Sequence, residues 1–130
     1  MAKKKLKVDP KDPKHLGIPN IQFSLTNDDD KREEKYVKQR IERGFDDSET
    51  WSLRDTFAKF IIPRLKRFKE LNNGYPPEMT AEEWNSRLDK MIAAFEYVGK
   101  ADEITPTQEE HESFKEGINL FTEYYFDLWW

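Results

Sequence analysis

The chain has 130 residues, of which 37% are charged, with a net charge of −4 and no cysteine. This length suits one domain with one hydrophobic core. The lack of cysteine excludes a disulfide framework and a thiolate metal site, and the negative charge argues against a broad nucleic-acid surface. An aromatic content of 14% predicts a core rich in rings rather than a disordered chain.

Residues 1–26 predict a flexible or extended basic arm. The stretch is rich in lysine, is broken by Pro10 and Pro13, and has too few apolar residues to offset the entropy lost on ordering. It contains no apolar segment of the kind found in secretory signals, and no run in the chain approaches the roughly 20 residues of a membrane span. We therefore expect no membrane partner and a cytoplasmic location.

Within that arm, Ile21, Phe23 and Leu25 alternate with polar residues. The two-residue period is typical of an extended backbone with one apolar face. Because the sequence offers no obvious second strand, we expect this segment to lie across helices. Pairing with a symmetry mate or with a partner is the alternative.

The first helix is predicted from N-cap candidates at residues 27–30 to about Arg43, with Gly44 as its stop. Its apolar stripe is thin, which predicts a helix packed at the rim of the core. A second helix is predicted from near residues 46–48 to Leu71. Its apolar face covers more than half of the circumference, so we expect this helix to be central. Pro63 predicts a kink or a division into two shorter helices.

Thr80 and Glu83 form a predicted capping box at the start of the third helix, before an apolar stripe that runs from Trp84 to Val98. The box satisfies two backbone amides that the first turn of a helix leaves without partners. This is the best-defined helix boundary in the sequence.

The last helix is predicted to begin after Thr105, with Pro106 at its first position, and its apolar stripe extends to Leu128. The fold as a whole is predicted to be all-α. We expect an antiparallel three- to four-helix bundle with an extended, partly flexible N-terminal arm, and residues 27–130 as a single domain.

Arg54 and Arg64 fall on the apolar arc of the second helix, on a wheel of about 100° per residue. A buried guanidinium group needs a partner. One interpretation is a pocket that grips a phosphate or a carboxylate with the planar fork of the side chain. The other interpretations are an internal ion pair, with Asp89 or Glu96 as candidates, and a kink at Pro63 that turns Arg64 to solvent.

The outer face of the second helix is basic and includes Lys66 and Arg67. Together with Tyr75, Trp129 and Trp130, these cations could stack bases and neutralise phosphates. An ordinary solvated helix surface has the same pattern, since Asp and Glu interrupt the basic face.

The final residues form the most apolar end of the chain. Phe126 and Trp130 lie on the far side of the last helix from its stripe, so they must be exposed or covered by something else. The cover is either the segment at residues 18–25 or a partner. Because Trp and Tyr often anchor interfaces, we predict a binding surface at this end.

Catalysis is not expected. His15 and His111 share no triad or zinc spacing. The acidic residues of the last helix, among them Glu112 and Glu116, fall mostly off its apolar stripe, which favours a solvated face over a metal centre. We predict a protein with no cofactor. The alternative from another class is a magnesium-dependent nucleotide-processing enzyme of the all-α type.

Several short motifs follow one another in order between residues 44 and 130. They are Trp-Ser-Leu at 51–53, Gly-Tyr-Pro at 74–76, Glu-Glu-Trp at 82–84 and Leu-Trp-Trp at 128–130. Their order resembles that of small, functionally uncharacterised proteins encoded by tailed bacteriophages. In that set the residue after Trp-Ser-Leu is usually acidic, whereas here it is Arg54, so no role for this position carries over.

The resemblance implies a small protein that acts by binding a host or phage macromolecule in the cytoplasm of an infected bacterium. We expect the partner to be a protein, with nucleic acid in second place. Formation of a homo-oligomer is open.

Overall fold

Four α-helices dominate the computed structural model, which describes residues 23–26, 29–71, 74–100 and 105–129. The helices are α1 (Glu33–Arg43), α2 (Leu53–Leu71), α3 (Ala81–Lys100) and α4 (Gln108–Glu123). Two 3-10 helices lie before α2 and after α4, at Asp47–Thr50 and Tyr125–Asp127. No β-strand occurs in these ranges, which confirms the predicted all-α class. None of the helices described there is long and apolar enough to cross a bilayer.

The described residues fall into two compact units, a first unit up to Thr56 and a second unit from Phe57 onwards. The boundary predicted at residue 26 lies inside the first unit. The single domain predicted over residues 27–130 stays a prediction. Most of the predicted basic arm, residues 1–22, lies outside the described residues.

The two ends of α1 are set by different local signals. The helix begins at Glu33 rather than at the predicted caps, and Arg32 at the cap position makes no side-chain capping bond. The Asp30 carboxylate instead accepts a hydrogen bond from the Arg32 amide at 2.8 Å, which turns the chain before the helix. At the other end Gly44 adopts a φ of 88° and its N–H donates to the Arg40 carbonyl at 2.8 Å, so the predicted stop is confirmed.

A 3-10 helix lies between α1 and α2, where the sequence predicts the first turn of the second helix. Asp46 and Glu49 form a capping box over this 3-10 helix, and α2 starts only at Leu53. The predicted start near residues 46–48 therefore belongs to a separate short element. The local capping interaction starts the 3-10 helix as an element distinct from α2.

Pro63 does not divide α2, which runs as one helix from Leu53 to Leu71. A proline removes one backbone donor and crowds the preceding turn. Burial of Ala58 and Leu65, on either side of the proline, offsets that loss by packing. Of the two predicted outcomes at Pro63, the division into two shorter helices does not occur, and the kink stays a prediction.

The capping box predicted before α3 is confirmed. The Thr80 amide donates to the Glu83 carboxylate at 2.9 Å, and the Glu83 amide donates to the Thr80 hydroxyl at 3.1 Å. The buried side chains of α3 form the predicted stripe: Trp84, Leu88, Met91, Ile92, Ala94 and Phe95. Because α2 buries only Ala58 and Leu65, α3 rather than α2 is the central helix of the second unit.

α4 begins later than the sequence predicts. Its cap is Thr107, whose hydroxyl accepts from the Glu110 amide at 3.0 Å, while the Thr107 amide donates to the Glu110 carboxylate at 2.8 Å. Thr105 and Pro106 precede this cap. A carboxylate in the first turn favours this start, since it lies at the positive end of the helix dipole.

α3 and α4 lie close together at Gly117. A Cβ atom built on this glycine would lie 2.4 Å from the Lys90 carbonyl oxygen and 2.5 Å from the Ala94 Cβ. Only glycine leaves room for this approach. The Lys90 ammonium group also binds Glu116 of α4 at 3.0 Å, so an ion pair lies beside the close contact.

Candidate functional site

Arg54 and Arg64 lie on the surface rather than in the core, and for Arg64 exposure to solvent was one of the predicted alternatives. Arg64 lies over the Phe60 ring, 4.0 Å from its centroid, and donates to the Phe60 carbonyl at 2.8 Å. The physical reason is the rotation of α2 about its axis. Its two buried residues define the face turned to the core, and Arg64 lies on the flank with Phe60 instead.

Two lysines of α2 are paired with carboxylates of α3. Lys66 lies 3.1 Å from Glu96, and Lys69 lies 2.7 Å from Asp89. Asp89 and Glu96 are the two carboxylates predicted as candidates for an internal ion pair with an arginine. They bind surface lysines instead, so this part of the basic face is neutralised within the second unit.

Two other residues predicted to bind a partner are also exposed. Arg67 forms an ion pair with Glu70 within α2 at 3.2 Å. Tyr75 lies in the loop before α3. A binding role for Arg67 and Tyr75 stays a prediction.

A series of aromatic contacts crosses the second unit from α2 to the second 3-10 helix. Neighbouring ring centroids are 5.2 to 6.4 Å apart along the series Phe60, Phe57, Phe95, Phe121, Tyr125 and Phe126. Phe95 is buried and Phe121 is partly buried, so they tie the series to the core. Most neighbours meet edge to face, an arrangement that aromatic quadrupoles favour. We call the exposed rings of this series the aromatic strip: Phe57, Phe60, Tyr125 and Phe126.

Exposure is greatest at the end of the strip that follows α4. Phe126 is 88% exposed and Trp129 is 74% exposed. Of the two predicted alternatives for Phe126, exposure or a cover, the structure shows exposure, while Trp130 lies outside the described residues. Because α4 ends at Glu123, the residues up to Leu128 follow a 3-10 turn rather than the predicted continuation of the helix.

The segment predicted as a cover for this end, residues 18–25, is described from Phe23 onwards. The Phe23 amide donates to Glu49 at 3.1 Å, and the Leu25 amide donates to the Ser48 hydroxyl at 2.8 Å. Alternate amides point to the same side in an extended backbone, so these bonds fit the predicted extended segment. Both acceptors belong to the first unit, which holds residues 23 and 25 there.

The first unit contains a buried polar network that apolar periodicity does not predict. Arg40 is 1% exposed. Its guanidinium group donates to Glu33 at 2.7 Å, to Asp46, and to the Ser24 hydroxyl at 3.1 Å. Asp46 also accepts from the amide and the hydroxyl of Ser48. A charged group is thus buried together with its counterions, which is what its burial requires.

The same network joins three pieces of the chain. The Thr26 hydroxyl donates to the second oxygen of Glu33 at 2.7 Å, which ties residues 23–26 to α1. Glu49 accepts from the amides of Phe23 and Asp46 at 3.1 and 2.9 Å. Glu33 and Glu49 are themselves buried, so each contact lies largely out of water.

Burial by itself would raise the pKa of Asp46, because it disfavours the charged form. Hydrogen bonds from Ser24, Ser48 and Arg40 outweigh that effect and hold the pKa of Asp46 below its usual value. The carboxylate is therefore charged at neutral pH and balances the guanidinium group.

The sequence does contain a pattern that matches this network, namely a helix face made mostly of charged residues. Glu33, Tyr36 and Arg40 are the buried residues of α1, spaced three and four apart. That spacing is the period of one helix face. Of these three residues only Tyr36 is apolar, so the apolar stripe predicted for the first helix is thin.

The acidic residues of α4 lie on an open surface. Glu112 and Glu116 border a shallow depression of about 450 Å³. Glu116 is paired with Lys90, and Glu112 accepts from the Gln108 side chain at 3.1 Å. In the part of the chain that the structure describes, no group of three or more His, Asp and Glu side chains is arranged to hold a metal ion.

No protein-family model, curated protein or solved structure matches the chain. Its function therefore has to be argued from its own surface, on which Phe126 and Trp129 are the most exposed of the large apolar side chains described.

Proposed function

We propose that this chain is a small binding protein without catalysis of its own, which engages a host or phage protein through the aromatic strip and Trp129. Its setting is the cytoplasm of an infected bacterium, as the phage resemblance implies. An antiparallel order of the helix bundle is part of the same proposal. The observation that carries it is the exposure of the Phe126 ring.

Leaving these rings in water is costly. With the exposures that its four residues have, the aromatic strip presents on the order of 500 Å² of apolar surface. Patches of about 300–600 Å² are the largest that soluble monomers normally show, and they often bind partners. Large aromatic side chains that enter a partner's pocket contribute much of the free energy of association.

The rings at one end of the strip contact one another before any partner arrives. Phe126 meets Tyr125 edge to face at 5.7 Å, and Tyr125 meets Phe121 in the same way at the same distance. Contacts that restrict a side chain in the free protein reduce the conformational entropy that it loses on binding. These contacts therefore favour recognition of a defined protein surface.

The charges near the strip favour a protein over a nucleic acid. Surfaces that bind single-stranded nucleic acid combine stacking rings with a continuous positive track. In the described residues, Lys66 and Lys69 of α2 are already paired with carboxylates. Asp127 adds negative charge directly after Phe126.

A photo-reactive phenylalanine analogue at position 126 tests the proposal. It is placed in the full chain, in cells that make the chain during infection. We expect irradiation to yield a discrete cross-linked protein that survives nuclease treatment. The same analogue at position 45 is the matched control, because Phe45 is 44% exposed in the first unit but lies outside the strip.

In parallel, the tagged full chain is compared with its Phe126→Asp and Phe45→Asp variants for recovery of the cross-linked protein. We expect the first substitution to abolish recovery and the second to leave it unchanged. Equal recovery with Phe126→Asp, or a cross-link only to nucleic acid, would contradict the proposal.

A further inference from the structure

The two ends of the aromatic strip carry opposite charges. At the α2 end, Arg64 lies over the Phe60 ring. At the other end, Asp127 follows Phe126 in the second 3-10 helix and is exposed. Glu123, the last residue of α4, is also exposed. The strip therefore has exposed rings at both ends, with a positive charge beside one end and a negative charge beside the other.

From this arrangement we propose that a second copy of the chain covers the strip, related to the first by a two-fold axis. In this antiparallel arrangement the Phe60 and Arg64 end of one copy packs on the Phe126 and Asp127 end of its partner. The proposal rests on the proposed function only in its choice of surface. It adds that the strip is closed by self-association when no other partner occupies it.

A two-fold axis is the operation that makes such a surface self-complementary. In an isologous interface, residue i of one copy meets residue j of the other, and j meets i. Rotation by half a turn reverses the strip, so each Arg64 faces an Asp127 and the contact forms twice. A parallel arrangement would instead place Arg64 on Arg64 and Asp127 on Asp127.

The area is sufficient for a weak dimer. Two strips that face each other remove about twice the exposed area of one, on the order of 1,000 Å². This value lies at the lower end of specific protein interfaces. The expected dimer is therefore reversible, and a partner protein that binds the same rings competes with it.

Charge reversal in the full chain tests the antiparallel pairing. The wild type is expected to show a concentration-dependent monomer–dimer equilibrium in sedimentation. The Arg64→Glu variant places two acids together at both contacts, and Asp127→Arg places two arginines together. Each variant alone is expected to raise the dimer dissociation constant roughly tenfold or more.

Mixing the two charge variants is the decisive arm. In a mixed dimer, Glu at 64 faces Arg at 127, and Arg64 of the second copy faces Asp127 of the first, so both contacts are attractive again. We expect mixing to restore association close to that of the wild type. Far-UV circular dichroism checks that both variants remain folded, which their exposed positions favour.

Several results would overturn the proposal. A wild type that stays monomeric at the highest soluble concentration excludes a second copy as the occupant. A dimer that is unaffected by either reversal, or variants that mixing does not rescue, excludes the antiparallel pairing. A dimer that survives Phe126→Asp but is lost with Phe45→Asp places the interface outside the strip.

These outcomes are separate from those of the proposed function. Both charge variants keep every ring of the strip, so they can still recover a partner protein if one exists. Recovery that depends on Phe126, without a wild-type dimer, leaves the proposed function intact and removes self-association. A dimer that depends on the strip, without recovery of a partner protein, supports self-association and contradicts the proposed function.

Discussion

In the first unit, α1 buries Glu33, Tyr36 and Arg40, whereas in the second unit α3 buries an uninterrupted stripe from Trp84 to Phe95. Both helices place one face against the rest of their unit, but with opposite chemistry. Apolar contacts have little directionality and tolerate changes of shape. A buried charge network holds only when every partner is in place. The first unit should therefore respond to single substitutions more steeply than the second.

The largest effect is expected from Arg40→Met, which leaves Glu33 and Asp46 buried without their cation. Loss of one member of a buried ion pair costs about 3–5 kcal/mol. We expect the free energy of opening measured by hydrogen exchange at the amides of α1 to fall by that amount. The amides of α3, in the second unit, serve as the internal reference.

Arg43→Met is the matched control for this substitution. Arg43 lies in the same helix and pairs with Asp47 at 2.7 Å, but both side chains are largely exposed. Exposed ion pairs contribute about 0–1 kcal/mol. If Arg40→Met cost no more than Arg43→Met, the contrast between the two units would not hold.

The next largest effect is expected in the second unit, from Gly117→Ala. The new methyl group would meet the Lys90 carbonyl and Ala94, and overpacking of this kind costs about 1–3 kcal/mol. That exceeds the gain of up to about 1 kcal/mol that alanine has over glycine in a helix. Hydrogen exchange at the amides of α3 measures the change.

Gly99→Ala sharpens this test, because nothing lies within 4 Å of a Cβ atom at Gly99 in α3. There the gain in helix propensity should dominate, and the variant should be slightly more stable than the wild type. Two glycine substitutions of opposite sign would locate the close contact between α3 and α4. A stabilising Gly117→Ala would mean that the two helices can move apart at no cost.

The last expected effect is a loss of stability on acidification, to which Asp46 contributes. Its pKa is lower in the folded chain than in the unfolded chain, so the native carboxylate resists protonation. The resulting stabilisation is complete above about pH 5 and is lost as the pH falls through the ordinary carboxyl range towards the lowered value. Asp30 and Asp47 of the same unit also have lowered pKa values and act in the same direction.

Unfolding of the first unit, followed by hydrogen exchange between pH 6 and pH 3, measures this dependence. We expect Asp46→Asn to be less stable than the wild type at pH 6 and to show a shallower loss of stability on acidification. Identical slopes for the two proteins would show that the buried network does not set the acid sensitivity.

Local signals made part of the fold predictable. The capping box at Thr80 and Glu83, the stripe of α3 and the stop at Gly44 each depend on residues within a few positions of one another. Such short-range patterns can be recognised in a sequence because their physical cause is contained in it.

Features that depend on distant partners could not be predicted in this way. Burial of Arg40 depends on hydrogen bonds to Asp46 and Ser24, which lie outside α1. The residue periodicity of α1 cannot predict these contacts. The rotation of α2 is set by its packing on α3, so the sequence alone could not decide between a buried and an exposed Arg64. Exposure of the Phe126 ring was one of two predicted alternatives, but the series of rings that links it to Phe60 was not predicted.

The attachment of residues 23–26 has a consequence for how this chain can vary. The Glu49 carboxylate accepts a hydrogen bond from the backbone amide of residue 23, and the Ser48 hydroxyl accepts one from the backbone amide of residue 25. Neither bond involves the side chain of residue 23 or 25. The route of the segment is therefore specified by atoms that every amino acid except proline possesses. Substitutions at these two positions can therefore change the exposed surface of the segment without removing the backbone hydrogen bonds that hold it.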